Sequence, residues 1–142
     1  MPRFSVDVLD VLLGLLRPAL PGVTVFPYIP DLLTTFVPLV VVRRTGGDSL
    51  APEFYDSPLI NVQCWCADDK VNNIDASRAA SDLADQVRGI FWTAYRTQQV
   101  VPALGWIGAI RESTGPLEIT DPDLPNYGRY TATYDLRIRS AA

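Results

Sequence analysis

Between Ala76 and Arg96, apolar side chains recur every three to four residues: Ala76, Ala79, Ala80, Leu83, Ala84, Val87, Ile90, Phe91, Ala94 and Tyr95. On an α-helix that spacing makes one apolar stripe, with Ser77, Arg78, Ser81, Asp82, Asp85, Gln86 and Arg88 on the other side. Asn73 or Asp75 can cap its start. A stripe of this length has to be buried against a second layer, so the rest of the chain must supply one. The alanines near its beginning allow a close approach to that layer.

The second layer reads as a sheet. Arg129–Arg139 alternates strictly, with Tyr130, Ala132, Tyr134, Leu136 and Ile138 inward and Arg129, Thr131, Thr133, Asp135, Arg137 and Arg139 outward. Leu59–Ala67 alternates too, with Ile60, Val62, Cys64 and Cys66 on one side and Asn61, Gln63 and Trp65 on the other. Phe36–Arg44 has an unbroken apolar centre, Leu39 to Val42, which predicts a strand covered on both faces. Val23–Tyr28 predicts a short strand that Pro27 and Pro30 confine to an edge or turn. Leu104–Ser113 predicts another, with Gly105 and Gly108 marking a bulge or tight crossing. Gly115-Pro116 then predicts a turn and Leu117–Thr120 a short strand.

Ahead of these lies a helix from Val6 to Arg17, with Ser5 as its cap and Pro18 as its stop. Its polar or small positions, Asp7, Asp10, Gly14 and Arg17, form one narrow stripe. Such a helix is covered either by its own domain or by a neighbouring subunit. The expected architecture is a single α/β (α+β) domain over residues 1–142. A mostly antiparallel sheet is flanked by an N-terminal helix and one long helix, in the order α-β-β-β-α-β-β. At 142 residues the chain is one domain long and needs no metal or disulfide to complete its core.

Composition narrows the function. The chain has no histidine, which excludes Ser-His-Asp and Cys-His catalysis and His-ligated metals. Its net charge of −4 argues against coating nucleic acid or binding a membrane through a basic patch. Cys64 and Cys66 point the same way from one strand, which suits two reduced core thiols better than a disulfide. The apolar N-terminal run is interrupted by Asp7 and Asp10, and Arg3 alone does not make the basic start of a signal peptide. A soluble intracellular chain is expected.

Local motifs point to turns. Gly47-Asp48-Ser49-Leu50 spells the signature of the GDSL esterases, but Ser49 has no histidine base, so a small hydrolase is disfavoured. Asp68-Asp69 and Asp121/Asp123 lack the spacing of a calcium loop and read as caps and turns. No metal or cofactor is expected. Arg129, Arg137 and Arg139 could form a basic ridge, or a solvated face with Asp135 among them.

Several residues are candidates for contact with a partner. Thr45–Pro58 reads as a long loop carrying Leu50, Glu53, Phe54 and Tyr55, which either folds back or reaches a neighbouring subunit. Trp65, on the polar side of its strand, is either covered by its own domain or faces a partner. Leu12 and Leu15 belong to the over-apolar first helix.

The whole pattern resembles the tail terminator proteins of long-tailed, siphovirus-type bacteriophages, of the kind that infect actinobacteria. The likeness covers nearly the full chain. It rests on the helix Val6–Leu16 followed by Gly22-Val23-Thr24-Val25, the strands Leu39–Arg44 and Leu59–Ala67, and Cys66-Ala67-Asp68-Asp69 ahead of the helix Ala76–Arg96. The closing Arg129-Tyr130-Thr131-Ala132-Thr133-Tyr134 completes it. The resemblance implies a virion protein without catalysis: a six-membered ring that ends tail-tube polymerisation and forms part of the head–tail joint. Its partners would be other copies of itself, the major tail tube protein and the head–tail connector or stopper, with DNA passing through unbound. A neck or head-completion protein of the same virion would share these features.

Overall fold

The computed structural model describes residues 4–141, so Arg3 lies outside the described residues. Helix α1 (Val8–Ala19) is followed by strand β1 (Thr24–Phe26), a 3-10 turn at Leu33–Thr35, and strands β2 (Leu39–Asp48) and β3 (Tyr55–Ala67). Helix α2 (Ala76–Thr97) and strands β4 (Gly105–Glu118) and β5 (Tyr127–Ser140) complete the chain. The five strands form one sheet in the order β1-β2-β3-β5-β4, parallel only between β1 and β2. The expected α+β architecture and element order are what is found.

Both helices pack on one face. Val8, Val11, Leu12, Leu13, Leu15 and Leu16 of α1 join Ala80, Leu83, Ala84, Val87, Phe91 and Ala94 of α2 in one core. The sheet contributes Val40, Val42, Ile60, Val62, Cys64, Cys66, Ile107, Ala132, Tyr134, Leu136 and Ile138. Each fully buried large aliphatic or aromatic side chain contributes roughly 1.5–3 kcal/mol. Phe91 meets Tyr134 edge-on, with ring centroids 5.2 Å apart. Asp75 caps α2 by accepting from the Arg78 N–H at 2.7 Å. Gly128 is where α2 crosses β5: a Cβ there would sit 2.2 Å from the Ala76 carbonyl oxygen, so only glycine fits.

The opposite face is covered at one corner. A parallel pair needs a crossover connection, and the segment 27–38 supplies it. Phe26, Leu33, Phe36 and Val37, with Leu124, pack over Leu39, Val41 and Trp65. That is why the apolar run of β2 is buried on both sides.

Several boundaries differ from the sequence expectation. Helix α1 is capped by Asp7 rather than Ser5, and Pro18 lies inside its last turn. There its missing N–H removes one bond only, and the helix closes through Leu20 N–H to the Leu16 carbonyl at 3.0 Å. Gly115-Pro116 does not break the chain into a turn and a short strand. Both lie within β4, an edge strand whose outer side has no ladder to lose and whose register shifts absorb the irregularity. The expected bulge near Gly108 falls between Ile107 and Ala109. The long loop is the largest correction: β2 and β3 pair as far as Asp48↔Ser57, so Thr45–Pro58 is mostly hairpin and only residues 49–54 form the connection. Asp48 and Ser57 have the polarity of a loop, but each is the other's cross-strand partner, and that pairing decides their conformation.

Candidate functional site

The connection at 49–54 is a rigid turn. The Ser49 hydroxyl donates to the Tyr55 carbonyl at 2.5 Å and accepts from the Ala51 N–H at 3.2 Å. Phe54 and Tyr55 N–H both reach the Ala51 carbonyl. The Val6 N–H donates to the Pro52 carbonyl at 2.8 Å, and the Ser140 N–H donates to the Phe54 carbonyl at 2.8 Å. The backbone is therefore tied to both ends of the described chain, while its side chains point away. Leu50 is 95% exposed and Phe54 65%, with Glu53 exposed between them. Tyr55 is half-buried at the start of β3, under the Arg137 guanidinium 5.0 Å from its ring centroid.

The other candidate residues lie elsewhere. Leu12 and Leu15 are buried in their own core: α1 is covered by α2, β1 and β2. Of the two covers open to this helix, its own domain supplies the one over Leu12, and Leu15 also borders a groove between α1 and α2. Trp65 is 5% exposed, held beneath the crossover with the Arg129 guanidinium 4.8 Å from its ring centroid. Its Nε1–H faces Gln63 Oε1 at 3.4 Å. Its own domain covers it, so of the two readings open for Trp65 the intramolecular one holds.

A second feature carried no signal in the apolar pattern. Between α1 and α2 runs an open groove of about 480 Å³, lined by Leu15, Ala19, Leu20, Gly89, Ile90 and Thr93 together with Gln86 and Gln99. Gly89 was legible as a glycine inside an otherwise regular helix. Its place in the lining of a groove was not.

The polar candidates are structural. Asp68 accepts from the Ala76 N–H at 2.7 Å, Asp69 from the Asn72 N–H and side-chain amide, and Asp121 from the Asp123 N–H. Among the described residues no group of acids, cysteines or histidines could hold a metal. Cys64 and Cys66 are free and buried. Burial, assisted by nearby Cys66, pushes the Cys64 thiol up, and burial, assisted by Asp82, pushes that of Cys66 to about 11, so neither is a thiolate nucleophile near neutral pH. Among the described residues no helix is long and apolar enough to cross a membrane.

The domain thus has both helices on one face of its sheet, a stitched turn bearing exposed apolar side chains, and a shallow uncharged groove. The sequence profile of the family described as phage tail termination protein matches residues 5–139, and the chain belongs to that family. It is a structural protein of the phage tail and not an enzyme. It is also similar to the Gene 22 protein of Mycobacterium phage D29, 25% identical over 124 residues that cover 84% of this chain and 81% of that one. The tail-terminator resemblance read from the sequence is thereby borne out.

Proposed function

We propose that this chain forms a ring, six-membered as its resemblance implies, that seats on the finished tail tube, ends polymerisation and offers the surface to which the head's connector or stopper joins. The observation that carries this reading is the separation of its exposed apolar side chains. Leu50 and Phe54 stand at the end of the sheet where β2 turns into β3, and Val71 and Ile74 at the opposite end, between β3 and α2. Tyr28, Ile29 and Leu32 lie on the crossover between β1 and β2. A tube of identical stacked rings presents the same polymerising surface after every layer. Permanent arrest requires a protein that matches this surface without copying it. Such a cap needs lateral contacts with its own copies, one axial contact for the tube and another for the head. Anchors in separate places suit that demand, and a net charge of −4 suits a ring through which DNA passes unbound.

Electron microscopy of a phage carrying an amber mutation in this gene tests the reading. The expected result is full heads and unjoined tails of uncontrolled length. Normal-length tails joined to heads would overturn it, and normal-length tails left unjoined would move the chain to a head-completion step.

A further inference from the structure

Gly89 is the starting point. It lies well inside the 22-residue helix α2, where glycine is roughly 0.5–1 kcal/mol less favourable than alanine. A Cβ at Gly89 would meet nothing within 4 Å. The fold of the single chain therefore gives no steric reason for glycine here, in contrast to Gly128. A bare helix surface becomes useful when something outside the chain comes close to it. Gly89 faces the groove, where Leu15, Ala19, Leu20 and Ile90 stand with the uncharged polar side chains of Gln86, Thr93 and Gln99, and among the described residues no charged side chain lines it.

An uncharged groove takes an apolar anchor that arrives without buried charge. Two of the exposed apolar side chains are almost fully accessible, Leu50 and Val71. Val71 is a poorer fit: it directly follows Lys70 and Asp69, whereas the residues on either side of Leu50, Ser49 and Ala51, are uncharged. Leu50 stands on the stitched turn, already fixed in shape, so seating it sacrifices little conformational entropy. The groove of about 480 Å³ has room for Leu50 together with the ring of Phe54. Charge agrees as well. Asp48 and Glu53 flank the turn, and Arg96 lies exposed near the groove, over the ring of Trp92 in a hollow that shares Gly89. Of the other charges in that hollow, Arg88 and Glu112 pair with each other, and Asp85 lies about three turns of α2 before Arg96.

We infer that Leu50 and Phe54 of one copy seat in the α1–α2 groove over Gly89 of the next copy, with Glu53 facing Arg96. The contact joins two different surfaces of the same chain, so it propagates head to tail and closes into a ring where the rotation allows. The inference rests on the ring reading above and names the lateral contact within it.

The test uses the full chain and sedimentation analysis, with circular dichroism to check folding. Leu50→Asp removes the anchor, and Gly89→Trp fills the groove from a position where a Cβ meets nothing within 4 Å. Each variant should stay folded and need at least about thirtyfold more protein to assemble. Mixed together they should form dimers and nothing larger, because one supplies an intact groove and the other an intact anchor. Glu53→Arg and Arg96→Glu should each weaken assembly, and the double variant should recover it. If the wild-type chain forms rings and Leu50→Asp and Gly89→Trp form them equally well, the inference fails and the ring reading stands. If Gly89→Trp forms rings that no longer bind tail tubes, the groove belongs to the tube protein and the inference is overturned. A wild-type chain that stays monomeric in solution and on tail tubes overturns both.

Discussion

Arg44 grips Asp56 across the β2–β3 hairpin through two parallel hydrogen bonds, 2.6 Å from Nη1 to Oδ2 and 2.9 Å from Nη2 to Oδ1. The carboxylate is almost fully buried, while the guanidinium is about one-third exposed and also reaches the Gly46 carbonyl. The pair lies just before the turn that presents Leu50 and Phe54. Two planar groups joined at two points resist the twist that would let the hairpin end splay.

Arg44→Ala should therefore destabilise the chain by about 1–3 kcal/mol, because it leaves the Asp56 carboxylate buried without its partner. Asp56→Ala should do less harm, since the guanidinium it frees can turn to water. Urea unfolding of the two variants measures the difference. Equal losses would mean that the clamp, and not the stranded carboxylate, carries the effect.

Phe91 and Tyr134 form the centre of the helix–sheet contact, yet they should respond in opposite ways. Phe91→Ala should cost about 3–5 kcal/mol through the cavity it leaves. The Tyr134 hydroxyl is buried with no hydrogen-bond partner among the described residues, and burial pushes its pKa up. Tyr134→Phe should leave stability unchanged or raise it by roughly 1 kcal/mol, since it removes an unsatisfied polar group and keeps the ring. Thermal unfolding of both variants checks the pair.

Stability should fall at both ends of the pH range, for different reasons. Hydrogen bonds from Arg88, at 2.5 and 2.8 Å, hold the Glu112 carboxyl below its ordinary value; Trp92 adds a weaker bond, and partial burial opposes them. A lowered acid contributes stability above its unfolded pKa and loses it as pH falls through the folded one. Glu112→Gln should flatten the acid limb below about pH 4.3. Cys66 has the opposite sign. Burial raises its thiol from 9.0 to about 11, so its contribution is complete below 9 and is lost as pH rises through that window. Cys66→Ala should flatten the alkaline limb. Urea unfolding across pH measures both slopes.

The sequence by itself determined the elements whose patterns are local and repeated. The apolar stripe of α2, the alternation of β3 and β5 and the two-sided apolar run of β2 are set by which side chains must leave water, and each was legible from spacing alone. The absence of histidine likewise counted against the hydrolase reading of Ser49, whose hydroxyl donates to the Tyr55 carbonyl. Tertiary structure decided what depends on a distant partner. Gly46–Asp48 are strand because they pair with Ser57–Leu59, and Tyr55 and Asp56 because they pair with β5, which no local pattern records. Pro116 lies within a strand because β4 is an edge. Leu12, Leu15, Trp65 and Leu50 are all large and apolar, and nothing in the composition around them separates a core residue from an anchor. Three are buried and one is exposed because only packing, a long-range property, assigns a side chain to the inside. The groove at Gly89 exists for the same reason: it is the space that two helices, far apart in sequence, leave between them.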